Sequence, residues 1–431
     1  MNMSITMMNY NKLIRAILVC SLLFSGWSVE ATAQSLRTDG SISSQLPYIT
    51  QTLYRPTFVL PLDDLGSGVV NLVPTIAASP TPTFIRASVA WTKLSSGLWG
   101  QVTTGTARSS YLGRDTAVGA YGGYLSEPAG IQLVTPTAAI RDMTDASWVK
   151  VTTTVAKTCT GIDGSANSAT LLTATAPAAT VLQTLVAAAS ARTYSVFLRC
   201  ILCTGAVSLM QGATASDISA QLNSSTYTRV QLNASVLNSA FGLRFANSSD
   251  SVCADFNQFE ALVATQFASS PMVSAGAVRA ADVLSYATAG NADATQGTCY
   301  AEVTANWTTS VNSIAVGFGA GGLMGTIKAS TGVLSTQINI NDGTSNVTKA
   351  PLSDMFTGIR KRASCWGGAG MFITGDGAVP ATTVFDGDMG SVAIGIGCGS
   401  DSLRQWSGTI ANVRIYPRQV TSAQLSAMTA P

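Results

Sequence analysis

Tyr227-Thr-Arg-Val-Gln-Leu232 puts Arg229 and Gln231 on one side of an extended chain and Val230 and Leu232 on the other. Successive side chains of a strand point to opposite faces, so this period of two marks a half-buried β-strand. Comparable runs are Tyr194-Ser-Val-Phe-Leu-Arg199, Phe241-Gly-Leu-Arg-Phe245 and Ile410-Ala-Asn-Val-Arg-Ile-Tyr416, separated by Gly, Asn, Asp and Ser. Short strands parted by turn formers predict antiparallel sheets packed face to face. Almost nothing after residue 35 carries a 3.6-residue apolar period. The alanine-rich stretch 178–191 reads as strand and loop, because Thr180, Val181, Thr184 and Val186 are β-branched. A short helix is predicted only at Thr421–Met428, where Thr421 can cap Ser-Ala-Gln-Leu.

A chain of 431 residues exceeds one small core. The predicted fold class is therefore all-β, two tandem antiparallel β-sandwiches behind an N-terminal arm. Residues 1–34 form a signal-like apolar segment: Lys12 and Arg15 precede Ala16–Phe24, and Ala31-Thr-Ala33 supplies small residues for cleavage. The apolar run is short for a bilayer span, and Val19 before Cys20 is not the small residue a lipid anchor requires. An arm or linker is expected over 35–79, a short β segment over 80–135, and the sandwiches over 136–275 and 276–431. Between them Ala268-Ser-Ser-Pro-Met-Val-Ser-Ala-Gly276 offers little to bury, so a protease-sensitive join is expected near 268–280.

Charged residues make up only 11% of the chain, so hydroxyls and backbone must cover much of its surface. Lys plus Arg number 24 and Asp plus Glu 22, a net +2 with no basic run longer than Arg360-Lys-Arg362, and no nucleic-acid partner is expected. The absence of histidine removes Ser-His-Asp and Cys-His catalysis and His-containing zinc sites. Cys200 and Cys203 form a lone C-x-x-C, read as a hairpin-end disulfide or as two buried thiols in preference to a redox or zinc motif. For carboxylate-pair hydrolysis the chain after residue 34 offers Glu127, Glu260 and Glu302, none visibly paired, and an enzyme is not expected.

Several motifs occur in an order that resembles a family of bacteriophage tail and head appendage proteins. They are Phe84-Ile-Arg-Ala-Ser88, Leu125-Ser-Glu-Pro-Ala129, Ala146-Ser-Trp148, Ala174-Thr-Ala176, Tyr194-Ser-Val-Phe-Leu198, Asp255-Phe-Asn-Gln-Phe-Glu260, Ser269-Ser-Pro271 with Val278-Arg-Ala-Ala-Asp-Val-Leu284, and Ser407-Gly-Thr-Ile-Ala-Asn-Val-Arg-Ile-Tyr-Pro-Arg418. The resemblance spans residues 84–418. It implies a carbohydrate-binding-module-like jelly roll at 136–275 followed by a concanavalin A-like, or laminin G-like, lectin sandwich at 276–431. It also implies a place on the virion surface beside other virion proteins, and a role in adhesion to host cell-surface glycan. Gln132-Leu133 departs from the family's usual Asn-Leu, and the signal-like start is unusual for it, so secretion, or a periplasmic location after cleavage, is the alternative. A component with no ligand is the competing non-enzymatic role.

Sugar sites on sandwiches pair a ring face with flanking polar groups. Trp307 with Asn306, and Trp366 with Asp376, are the candidate carbohydrate-binding residues, packing between the sheets being the competing reading for each tryptophan. Glycines Gly317 to Gly325 would permit close backbone approach. Trp148 and Trp406 read as core. Asp342-Gly, Asp376-Gly and Asp386-Gly-Asp388 read as turns, with Asp386 and Asp388 a weak calcium candidate and no cofactor otherwise expected. Sheet edges that need covering suggest a homo-oligomer, taken as a trimer.

Overall fold

The structure is a computed structural model. It describes residues 55–431 except 63–68, 79, 95, 112–120, 238, 262–267, 277, 305–312, 319–320, 327–337, 350–358, 391–392, 400–404 and 407. The signal-like segment 1–34 and the start of the expected arm lie outside the described residues.

The opening sequence run lies in the strand Thr228–Val236, with Val230 and Leu232 buried and Arg229 and Gln231 only partly covered. It edges a five-stranded sheet that continues through Ser190–Leu202, Ser251–Ala261, Ala169–Ala174 and Thr153–Cys159. A second five-stranded sheet runs Thr214–Asp217, Val207–Gln211, Ala240–Phe245, Ala179–Thr184, Val149–Val151. Their inner faces meet over Tyr194, Leu209, Val230, Phe241, Leu243 and Phe259, with Phe241 stacked on Phe259 at 4.1 Å. Trp148 seals one end, its ring edge-on to Phe241 and its Nε1 donating to the Ala139 carbonyl at 3.0 Å, so it is core as expected. The 178–191 stretch is the strand Ala179–Thr184 followed by loop.

The other sandwich is larger. Its eight-stranded sheet has the path Ala381–Thr383, Met371–Gly375, Arg360–Trp366, Gly297–Val303, Gly408–Tyr416, Tyr121–Ser126, Ser109–Tyr111, and Phe58–Leu60 also pairs with Gly408–Tyr416. Facing it is a seven-stranded sheet of Thr83–Ile85, Val283–Tyr286, Ile394–Ile396, Ser313–Phe318, Gly321–Thr326, Ile338–Asn341 and Asn346–Lys349. Within Gly408–Tyr416, Ile410, Val413 and Ile415 all reach the core, which strict alternation forbids. A bulge resolves this: the register slips between Tyr300 and Glu302, and Asn412 takes φ 49°. The helix Ser422–Met428 forms with the capping box of Thr421 and Gln424 and covers the outside of the larger sheet through Leu425 and Met428.

Two expectations need correction. Of the supposed arm, Phe58–Leu60 is a buried strand against Val413–Ile415, and the supposed separate β segment places Thr83–Ile85 on Val283–Ser285 and Tyr124–Ser126 on Gly408–Ile410. These strands before residue 131 therefore complete the second sandwich, while the hairpin Ala90–Lys93 and Trp99–Val102 packs Trp91 and Trp99 on the first, which is inserted into the second. Chain entry Gly130–Ile131 pairs with chain exit Val278–Arg279. The reason is edge coverage: the sequence runs are too short to stand alone and bury their apolar side by closing existing sheets.

Nor is the start of the join exposed, although Ser274 and Gly276 further along it are. Ser269, Ser270 and Met272 are buried, because the polar chain there is hydrogen-bonded to buried side chains: Ser269 N to Glu260, Ser270 N to Glu127 Oε1 at 2.9 Å and Met272 N to Gln258 Oε1 at 3.0 Å. Around it Arg86 and Arg108 both bind Asp282, and Arg108 and Arg279 bind Glu127. The neighbouring Arg279 and Arg108 outweigh desolvation and lower the Glu127 carboxyl to about 2. Glu127 thus contributes on the order of 3 kcal/mol, fully present above its unfolded value near 4.5 and lost as pH falls towards 2. Burial pushes Glu260 the other way, so its ionisation costs stability as pH rises. Denaturant midpoints at pH 5 and pH 2.5 should differ steeply in the native chain and much less in Glu127→Gln; equal slopes in both would refute this source.

Among the described residues two disulfides form, Cys159–Cys253 and Cys200–Cys203, so the C-x-x-C is a strand-end disulfide; Cys299, Cys365 and Cys398 are buried thiols.

Candidate functional site

Among the described sequence-predicted site residues, only Asp386 lines the concave feature set out below. Trp366 is fully buried against Phe318, with Nε1 donating to the Asp293 carbonyl at 3.0 Å. A Cβ at Gly297 would come within 2.3 Å of its ring, so the neighbouring strand is built around the indole. Trp366 is a core residue, and its assignment as a sugar platform is withdrawn. Trp406 is likewise core, donating to the Thr304 carbonyl at 2.7 Å. Trp307 and Asn306 lie outside the described residues, as do positions 319–320 of the glycine run. Asp376 sits at φ 55° and accepts from Arg362 at 2.5 Å, beside the C-terminal helix where Gly377 N donates to Thr429. Its carboxylate is engaged in holding that corner, away from any concave surface described here.

The concave feature is the end of the second sandwich just beyond Trp366. Its floor is the turn Gly367-Gly-Ala-Gly370, closed by Gly370 N on the Gly367 carbonyl at 2.9 Å. Gly367 and Gly370 adopt φ 153° and 106°, and a Cβ on either would strike Gln419 at 2.8 Å or the Thr383 carbonyl at 2.5 Å. Gln419 fixes the turn from behind, accepting from Ala369 N at 3.1 Å and donating to the Gly370 carbonyl at 2.5 Å. The wall opposite is the edge strand Ala381–Thr383 with Val384, Phe385 and Asp386. Together they enclose a groove of about 750 Å³.

Its chemistry is mixed. Thr295, Thr382, Thr383 and Asp386 are the polar residues of the lining, while Val384, 75% exposed, and the half-buried Phe385 supply an apolar strip. Phe385 also packs against the core of the second sandwich. Asp388 donates its N–H to Asp386 Oδ1 at 3.1 Å and accepts from Gly390 N at 2.7 Å, and Asp386 N donates to Asp342 Oδ2 at 3.3 Å. These aspartates shape consecutive turns. Among the described residues no group of three His, Cys, Asp or Glu side chains is placed to hold a metal ion.

The glutamates are engaged elsewhere. Glu127 and Glu260 are buried in the junction cluster, and Glu302 accepts from Tyr300 at 2.9 Å and Asn412 at 2.8 Å. The sequence did not single out the Gly367–Gly370 turn, Thr382 or Thr383. The signal that could have found them is Gly-Gly-Ala-Gly directly after a core tryptophan, where a strand must end in a tight approach.

No protein-family profile matches the chain, and no curated protein sequence does. Solved structures show partial similarity. A mutant Trypanosoma rangeli sialidase displaying trans-sialidase activity aligns at 16% identity and TM-score 0.24, over 30% of this chain and 22% of its own. The N-terminal CBM22-1-CBM22-2 tandem domain of Paenibacillus barcinonensis Xyn10C aligns at 8% identity and TM-score 0.24, covering 68% of this chain and 99% of that one. A proposed carbohydrate-binding protein of Bacteroides ovatus aligns at 14% and TM-score 0.24, covering 58% and 79%. At these scores none of them fixes the ligand or the fold of this chain. The sandwich assignment rests on its own strand pairing.

Proposed function

We propose that this chain is a non-enzymatic adhesion protein that binds cell-surface glycan in the groove between Gly367–Gly370 and Thr382–Asp386. The observation that supports it is the groove's two-sided chemistry. A sugar presents C–H patches and hydroxyls together, and here Val384 and Phe385 lie beside three threonine hydroxyls and one carboxylate. Adhesion without chemistry fits the placement of the glutamates, of which Glu127 is buried against Arg108 and Arg279 and Glu260 is buried in the same junction. The virion-appendage setting rests on the ordered motifs of residues 84–418, and a homotrimer would multiply a weak single-site affinity. A monomer by light scattering at micromolar concentration would remove that last element, and new reducing ends on incubation with host polysaccharide would remove the non-enzymatic one.

Gly368 gives the direct test. A Cβ there meets nothing within 4 Å, and its φ is outside the left-handed region, so a large side chain can enter the groove without disturbing the turn. Gly368→Trp is expected to abolish binding to host cells while leaving the melting temperature unchanged. Undiminished binding by a folded Gly368→Trp would place adhesion elsewhere, and no cell binding by the native chain would make it purely architectural.

A further inference from the structure

Resting on the glycan reading, we infer that the groove selects neutral or amino-bearing sugars and turns away anionic ones, because among the described residues its lining carries a carboxylate and threonines but no Lys or Arg. Asp386 lies in the lining, and among the described residues no Lys or Arg does; Arg418, next in sequence to the Gln419 that braces the floor, is outside it. Thr295, also in the lining, already donates both its N–H and its hydroxyl to Asp293 Oδ1, each at 2.8 Å, so its hydroxyl proton is engaged within the chain. A ligand must then bring donors of its own. Sugar hydroxyls and ammonium groups do so, whereas uronate, sialate and phosphate oxygens would meet Asp386 with nothing to neutralise them.

Asp386 is also replaceable without loss of the turn. Its Oδ1 accepts from Asp388 N, a role asparagine fills equally, so Asp386→Asn removes charge and little else. The test is a glycan array at pH 6 and low salt carrying neutral, amino-bearing and acid-bearing oligosaccharides, read with the full-length native chain, Gly368→Trp, Asp386→Asn and Asp386→Lys. Signals lost in Gly368→Trp define groove binding. These should fall on neutral and amino-bearing glycans, with Asp386→Asn lowering the amino-bearing class about two- to fivefold and sparing the neutral one. Asp386→Lys should admit acid-bearing glycans. Groove-dependent signals as strong on uronate- or sialate-bearing glycans in the native chain would overturn the selectivity and leave the glycan reading standing. No groove-dependent signal on any class would overturn both.

Discussion

Arg108→Ala is expected to lose about 3–5 kcal/mol of unfolding free energy, read from urea midpoints. The guanidinium is fully buried, pairs with Glu127 Oε2 at 2.9 Å and with Asp282, and donates to Ser270 Oγ at 2.8 Å and the Trp91 carbonyl at 3.1 Å. Its neighbours Asp282 and Glu127 raise its pKa against desolvation, so it is held charged. Truncation leaves two carboxylates in a dry junction with one less neutralising charge, and that uncompensated burial is the source of the large effect. Arg108→Lys should recover little, since a single ammonium cannot reach both carboxylates, a carbonyl and a hydroxyl at once. Because Ser270 is one of the partners, the same variant should become cleavable between 268 and 280 while the native chain resists. A loss below about 1 kcal/mol would mean that the cluster is hydrated and not a buried junction.

Removing Cys159–Cys253 by a double alanine substitution should cost a similar amount, roughly 4 to 5 kcal/mol, because the bond joins residues 94 apart in sequence and restricts the unfolded chain accordingly. Both sulfurs are buried beside Ala169 in a small cluster outside the main core, so little relaxation can offset the loss. The contrast is Cys200–Cys203, which spans 3 positions and should cost about 2 kcal/mol by the same reasoning. Equal losses for the two pairs would refute the chain-entropy explanation. Cys299, Cys365 and Cys398 are buried thiols, with Cys299 and Cys365 pushed up to about 12 by burial, so they should not scramble with these bonds in the folded protein.

The strands were legible wherever side chains alternate, as at Val230 and Leu232, and so was the helix cap at Thr421, because these depend on neighbours a few residues away. What the sequence hid depends on distant partners. Phe58–Leu60 looks like part of a loose arm until Val413–Ile415, far along the chain, gives it a ladder. Polarity also misled: Ser269 and Ser270 suggested a solvated linker, yet buried carboxylates accept from their N–H groups. Trp366 was misassigned because composition places an aromatic beside a carboxylate without saying which way the ring points. The groove lies one turn further on, where glycines matter for the space they leave.

The insertion has a consequence for synthesis on the ribosome. The first sandwich is complete once Ala261 has emerged, whereas Phe58–Leu60 must wait for Val413–Ile415. At about 5–20 residues per second that wait lasts roughly 20 to 70 s, during which early-made strands lack their partner. The inserted sandwich is then a folded spacer that brings chain entry and exit together at Gly130 and Arg279, shortening the effective loop that the late strands must close. Variants that slow folding of residues 149–261 should therefore reduce the yield of the whole chain more than their stability loss alone accounts for.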